Sequence, residues 1–123
     1  MEFTDLGQIR GEAGNAGAQK TVALAPMSGG RRCKRMQVSF WVQSSGGTAP
    51  KLGIKVQCGP NGIVAKDHTT IAATVIPADN LYVWDITDAT AAIGEYIHIT
   101  LLFEGTATGD WVMGRLYVMK KPF

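Results

Sequence analysis

The fold class is most apparent in LYVWDITDATAAIGEYIHITLLFEGTATGDWVMGRLYV, residues 81–118. Large apolar residues recur at every second position in three runs, 81–86, 96–103 and 111–118, which is the period of a half-buried strand. Between the first two runs, TDATAAIG (87–94) allows a short helical turn capped by Thr87 or Asp88 and ended by Gly94. The last two runs, separated by EGTATGD, predict a long hairpin.

The same alternation extends back to residue 20. Strand-like runs cover 20–27, 33–43, 51–58, 62–65 and 69–76, and the last strand continues to 121. Turn signals such as SSGGTAP, GPNG and KDH separate them, and in PADN we expect Pro77 at the first corner of a type I turn. We therefore predict an all-β fold, a single antiparallel β-sandwich of seven or eight strands.

The first nineteen residues differ from the rest, because they contain four glycines and little periodicity. We predict that 1–19 is an extended or flexible N-terminal arm and that 20–123 is the sandwich domain. The large apolar residues of the arm, Phe3, Leu6 and Ile9, could attach it to its own domain or to a neighbouring molecule.

The order of elements resembles jelly-roll sandwiches, in particular carbohydrate-binding modules and phage capsid decoration (cement) proteins. In those folds a strand and turn like VWDITDA (83–89) precede a long strand, and a strand like TGDWVMGRLYV (108–118) closes the sheet. The resemblance covers residues 20–120 and consists of alternation and turn patterns. It implies a jelly-roll-like sandwich and either a capsid-binding or a sugar-binding role.

Charge is distributed unevenly along the chain. Residues 1–66 hold nine basic and three acidic residues, a net +6, whereas 67–123 hold three basic and seven acidic residues, a net −4. Halves of opposite sign allow head-to-tail contacts between copies. The alternative, which we favour, is that strands from both halves interleave and the charges mix.

The sequence does not suggest an enzyme, and we predict no catalytic residues, no metal and no cofactor. His68 follows Asp67 in an expected turn, and His98 is expected on a sheet face with Tyr96 and Thr100, so neither suggests a catalytic set. Two cysteines and two histidines in unrelated settings form no zinc motif.

We expect no disulfide, because the alternation puts Cys33 and Cys58 on opposite strand faces. The start, MEFTDLGQIR, has no pattern of a secretory signal, and YIHITLLF is shorter than the ~20 residues of a membrane span. We therefore expect a soluble protein made in a cytoplasm, with no membrane partner.

The last strand indicates a protein–protein contact. Its even positions, such as Val112, Leu116 and Val118, suit a core. Its odd positions carry the residue types enriched where proteins meet, and we predict them as a subunit interface. They are Trp111, Met113, Arg115, Tyr117 and Met119.

A basic cluster near residue 30 suggests a second contact. We predict partner docking through the cluster and the arm, by Arg31, Arg32, Lys34, Arg35, Phe3, Leu6 and Ile9. Nucleic acid is a weaker interpretation of the cluster, because two of the three tryptophans lie in the acidic half. Carbohydrate remains a possible ligand, with a sugar platform drawn from Trp41, Trp84 and Trp111.

We therefore expect a virion structural protein, a capsid decoration (cement) protein that stabilises a phage head. Its partners would be further copies of the chain, with a homotrimer favoured, and the capsid shell protein. It would be located in the virion, assembled in the host cytoplasm. The alternative is a carbohydrate-binding jelly-roll module at a fibre tip or in host-surface recognition.

Overall fold

Strands account for the alternating runs. The computed structural model describes residues 2–12, 20–24, 33–59, 66–87, 96–104 and 109–122, and these form eight strands. The strands are β1 (Glu2–Glu12), β2 (Lys20–Leu24), β3 (Cys33–Gly46), β4 (Lys51–Gly59), β5 (Lys66–Val75), β6 (Leu81–Thr87), β7 (Tyr96–Glu104) and β8 (Trp111–Pro122). The strand predicted at 62–65 and the helical turn after Thr87 lie outside the described residues.

The strands form two four-stranded antiparallel sheets. The first sheet has the order β1-β8-β3-β6 and the second has the order β2-β7-β4-β5. This is the strand order of an eight-stranded jelly roll, in which two Greek keys interleave. The predicted all-β, jelly-roll-like antiparallel sandwich is confirmed.

The core lies between the two sheets and follows the predicted alternation. Every second residue of the central strands points inward, because successive side chains of a strand leave opposite faces. The buried apolar residues are Met36, Val38, Phe40, Val42, Leu52, Ile54, Val56, Cys58, Tyr82, Trp84, Ile86, Ile97, Ile99, Leu101, Phe103, Val112, Leu116 and Val118. Gly114 lies in the inward row of β8 and makes room for the ring of Phe40.

Residues 2–12 of the predicted N-terminal arm form a strand of the sandwich, whereas residues 13–19 lie outside the described residues. Residues Glu2–Glu12 form β1 and pair along β8 from Phe3 opposite Met119 to Glu12 opposite Trp111. A bulge interrupts the pairing between Asp5 and Gln8, where Gly7 has a φ of 84°. The extra residue lets Leu6 and Ile9, three positions apart, both pack against the core.

Two local predictions also need correction. In the PADN turn the amide of Asn80 donates to the carbonyl of Pro77 over 2.9 Å, so Ala78 and Asp79 are the corners and Pro77 precedes them. Asp67 and His68, expected in a turn, lie in β5. The strand begins before its first apolar residue, and there Asp67 lies opposite Gln57 of β4 and accepts a hydrogen bond from its side chain.

The two cysteines belong to different sheets. Cys33 is the first residue of β3 in the first sheet, and Cys58 lies in β4 of the second sheet, where its thiol is buried in the core. Among the residues that the structure describes, no helix has the length and hydropathy required to cross a bilayer.

Candidate interaction surface

The outward side of the first sheet, here called the outer face, collects most of the predicted contact residues. Strand pairing places residues of four strands on it in rows that run across the sheet. The members are Phe3, Asp5, Gln8, Arg10 and Glu12 of β1; Trp111, Met113, Arg115, Tyr117, Met119 and Lys121 of β8; Arg35, Gln37, Ser39, Trp41, Gln43 and Ser44 of β3; and Leu81, Val83, Asp85 and Thr87 of β6.

The predicted interface residues of β8 run along the middle of this face. Each of the five is half-buried, because side chains of β1 and β3 flank the strand on both sides. Each keeps part of its surface accessible to a partner. The structure thus brings all five residues together, in register with aromatic and polar residues from strands far away in sequence.

Aromatic side chains at both ends of the outer face are held by neighbours. Phe3 stacks on Tyr117 with ring centroids 5.7 Å apart, and the guanidinium of Arg10 lies 4.8 Å from the centre of the Trp111 ring. Trp111 lies over Gly46, where any side chain would collide with the indole. These contacts fix the orientation of the aromatic groups before any partner binds.

A polar network lies between the aromatic groups. Arg115 Nη2 donates to Asp5 Oδ2 over 2.9 Å, and the Gly7 amide donates to Asp5 Oδ1 over 2.8 Å. The Gly7 amide and, secondarily, the Arg115 guanidinium lower the pKa of Asp5 below its ordinary value. Gln8 Nε2 also donates to Gln43 Oε1 over 2.9 Å, so β1 and β3 are linked across β8.

Exposed apolar area is concentrated on the same face. Four large hydrophobic residues are well exposed there: Phe3 at 62%, Trp41 at 47%, Val83 at 48% and Leu81 at 38%. Trp41 lies opposite Leu81 in the β3–β6 pairing. Sequence reasoning missed Leu81 and Val83, although the inward set Tyr82, Trp84 and Ile86 already implied that their neighbours point outward.

One end of the outer face contains a hollow of about 210 Å³, lined by Arg35, Gln37, Asp85, Met119 and Lys121. Arg35 and Asp85 form an ion pair of 3.4 Å beside it. Pockets for small ligands usually enclose ~300–1,000 Å³. The hollow is therefore better suited to a single side chain of a partner than to a whole small molecule.

The predicted docking residues are divided by the fold. Arg31 and Arg32 lie outside the described residues, as does the side chain of Lys34. Arg35 is exposed on the outer face. Of the N-terminal group, Phe3 is on the outer face, whereas Leu6 and Ile9 point to the core.

The three tryptophans of the sugar platform do not share a surface. Trp84 is buried and stacks on Tyr82 with centroids 5.2 Å apart. Trp111 is half-buried beneath Arg10, and Trp41 lies exposed opposite Arg115 in the β3–β8 pairing. A planar platform on this face would have to use Trp41 as its main aromatic group.

The polar residues considered for catalysis lie on two strands, β5 and β7, with β4 between them. His68 Nδ1 lies 2.7 Å from Thr69 Oγ1. Asp67 Oδ1 accepts a hydrogen bond of 2.9 Å from Gln57 Nε2 and forms an ion pair with Lys55 Nζ at 3.6 Å. His98 lies in β7, opposite Gln57 of β4. Within the described ranges, no three His, Cys, Asp or Glu residues are grouped so that they could hold a metal ion.

Comparisons with known proteins give little further guidance. No family model matches the chain, and no curated protein matches it. A solved structure, that of the Gx strain of infectious bursal disease virus, is similar over 94% of this chain with 17% identity and a TM-score of 0.45. The match covers 30% of that chain.

Proposed function

We propose that this protein is a virion structural protein, a capsid decoration (cement) protein, which uses the outer face to contact other copies of itself and the capsid shell. The observation that carries the proposal is the composition of that face. Trp111, Met113, Arg115, Tyr117 and Met119 form a continuous half-buried row, and exposed Phe3 and Trp41 flank it. These residue types are enriched at protein interfaces, especially at their energetic centres.

The organisation of the face supports a protein partner. Aromatic rings already held by Tyr117, Arg10 and Gly46 lose little side-chain entropy on binding, which lowers the cost of association. The Arg115–Asp5 pair lies among them and supplies directional polar contacts. Contiguous exposed apolar patches on a soluble monomer commonly mark such contact sites.

The fold is compatible with this role by analogy. Jelly rolls occur in viral capsid proteins and in lectins, so fold alone favours neither a shell-binding nor a sugar-binding role. A decoration protein can bind through many modest contacts, since copies joined to one another bind a repetitive shell with avidity. We propose a homotrimer in the virion, assembled in the host cytoplasm, with the basic cluster from Arg31 to Arg35 directed at acidic shell surface.

The test replaces two residues of the central row. In dilute solution we expect the wild type to have three times the 13.2 kDa mass of one chain, and Met113→Glu with Tyr117→Ala to have the mass of a single chain. Both side chains lie on the outward side of the sheet and outside the core, so the change should leave the sandwich folded. Light scattering measures the masses, and co-sedimentation with empty phage shells measures docking.

The matched control is Val75→Glu, which places the same charge on an exposed apolar residue of the second sheet. It should leave both the mass and the co-sedimentation unchanged. An unchanged mass in the double variant would remove the proposed subunit interface.

A carbohydrate-binding module is the second candidate, and the exposure of Trp41 favours it. Trp41 lies beside Gln43 and opposite Arg115, which are suitable hydrogen-bonding partners for sugar hydroxyls. In that case host polysaccharide should change the tryptophan fluorescence of the wild type. The change should disappear in Trp41→Ala, and the protein should not bind shells.

A further inference from the structure

Among the described strands, β6 is an open edge of the first sheet, and it differs from the other sheet edges. β6 pairs with β3 over seven consecutive residue pairs, from Arg35–Thr87 to Trp41–Leu81, without a register shift. The other edge strands are less suited to further pairing. β1 carries the bulge at Gly7, the β4–β5 pairing has two register shifts, and β2 has five residues. Bulges and short length are common ways of blocking a sheet edge.

The hydrogen-bonding pattern identifies which backbone groups β6 leaves open. The amide of Val42 donates to the carbonyl of Asn80 over 2.8 Å, so even-numbered residues occupy the hydrogen-bonded positions facing β3. In an antiparallel ladder the alternate residues direct their N–H and C=O groups to the other side. The Leu81 amide fits this pattern, because it donates to Asp79 Oδ1 over 3.2 Å. The amides of Val83, Asp85 and Thr87 therefore point away from β3.

The side chains of β6 do little to prevent pairing. The strand, LYVWDIT, contains no lysine and no proline, and its single charge, Asp85, forms an ion pair with Arg35. Its outward residues Leu81 and Val83 are exposed and adjoin Trp41 of β3. A regular edge with a single, paired charge and exposed aliphatic residues readily accepts another strand.

We infer that β6 pairs in antiparallel fashion with β6 of a second copy, about a two-fold axis at Trp84. This register aligns Leu81–Thr87 with itself, so that odd residues face odd residues and their open N–H and C=O groups match. Val83 then lies opposite Asp85, and Leu81 lies opposite Thr87, so the two acids are not directly opposed. The strand is self-complementary in its backbone and in its charge, as a two-fold contact requires.

This contact goes beyond the proposed function, because it uses a sheet edge instead of the row at Met113 and Tyr117. The pairing joins two first sheets into one continuous sheet of eight strands. Two short strands bury little area compared with the ~1,200 Å² or more of a stable interface. We therefore expect association that depends on concentration, in addition to the oligomer present in dilute solution.

The first test removes one amide. Val83→Pro deletes an N–H that points to the open edge, and proline is tolerated at such edge positions. Val83→Thr is the matched control, because it keeps the amide and a β-branched side chain. Sedimentation over a hundredfold concentration range should show the mass rising above that of the dilute oligomer for the wild type and Val83→Thr, with no rise for Val83→Pro.

The second test uses the unmodified protein and does not depend on whether the proline variant folds. Hydrogen exchange of the Val83, Asp85 and Thr87 amides should slow at least tenfold between dilute and concentrated samples, whereas Tyr82 and Trp84 stay protected in both. Equal exchange at both concentrations would overturn the inference. Slowing that needs added shells would also overturn it, since the occupant would then be a strand of another protein. Loss of the dilute oligomer in Met113→Glu with Tyr117→Ala affects neither test.

Discussion

At the scale of single residues, Asp5 connects the bulge of β1 to the centre of the outer face. Its two oxygens accept hydrogen bonds from the Gly7 amide and from Arg115. The first bond stabilises the left-handed conformation of Gly7, and the second holds Arg115 in the middle of the row. Asp5 and Arg115 are 110 positions apart, so no local pattern could have revealed their pairing.

This pairing predicts how the stability of the protein depends on pH. The pKa of Asp5 in the folded protein is lowered below its ordinary value of 3.8 by the Gly7 amide and by Arg115. A depressed pKa contributes stability above the unfolded value and loses it as the pH falls through the folded value. The wild type should therefore be more stable than Asp5→Asn above pH 4, and the difference should shrink steadily below it.

Urea titrations between pH 2.5 and pH 7 measure this difference in the free energy of unfolding. Arg115→Gln is the companion variant. It should retain part of the pH dependence, because the Gly7 amide is the larger cause of the shift. A difference between wild type and Asp5→Asn that stays constant with pH would contradict the assignment.

At the scale of elements, Asp110 joins the start of β8 to the connection between β3 and β4. Asp110 is 1% exposed, and its carboxylate accepts from the amide of Thr48 over 2.7 Å and from that of Ala49 over 3.3 Å. Gly47, with a φ of 98°, packs against the same side chain. The sequence suggested a loop at both places, but not that one loop residue satisfies the amides of the other loop.

We predict that Asp110→Ala lowers the free energy of unfolding by about 2–3 kcal/mol, because two part-buried amide bonds lose their charged acceptor. Asp79→Ala is the matched control. It removes an exposed carboxylate that accepts one amide over 3.2 Å and should cost about 0.5 kcal/mol. Urea unfolding followed by tryptophan fluorescence measures both changes. Equal losses of unfolding free energy in the two variants would show that the Asp110 contacts stabilise the protein no more than the exposed Asp79 contact does.

At the scale of the whole molecule, the jelly-roll order mixes the basic and acidic halves of the sequence. The first sheet combines β1 and β3 with β6 and β8. Among the residues that the structure describes, three ion pairs join the halves: Arg35–Asp85, Lys55–Asp67 and Arg115–Asp5. This is the arrangement that we favoured over separate charged ends. These pairs are partly exposed, and such pairs contribute little to stability.

Salt should therefore affect folding and shell docking differently. Raising sodium chloride from 50 mM to 1 M should change the free energy of unfolding by less than about 1 kcal/mol, because the ion pairs are exposed. Docking on empty shells, if it uses Arg31 and Arg32, should weaken strongly over the same range. Arg31→Ser with Arg32→Ser should dock less well and flatten this salt dependence. Docking that is insensitive to salt would contradict a role for the basic cluster.

Local alternation in the sequence is enough to predict most of the strands, their inward faces and the all-β class. Alternation at period two is local, and burial of one face of each strand requires it, so the cores of β3, β6 and β8 could be predicted residue by residue. The outward row from Trp111 to Met119 was predictable for the same reason.

Which strands become neighbours, and which residues flank that row, follows only from the pairing of strands in three dimensions. Pairing joins residues distant in sequence, and many strand orders satisfy the same alternation. The bulge at Gly7 shifts the face of β1 by one residue, which directs both Leu6 and Ile9 inward. The regular open edge at β6 likewise follows from topology. The strand order places β6 at the end of the first sheet, where β3 is its one neighbour among the described strands.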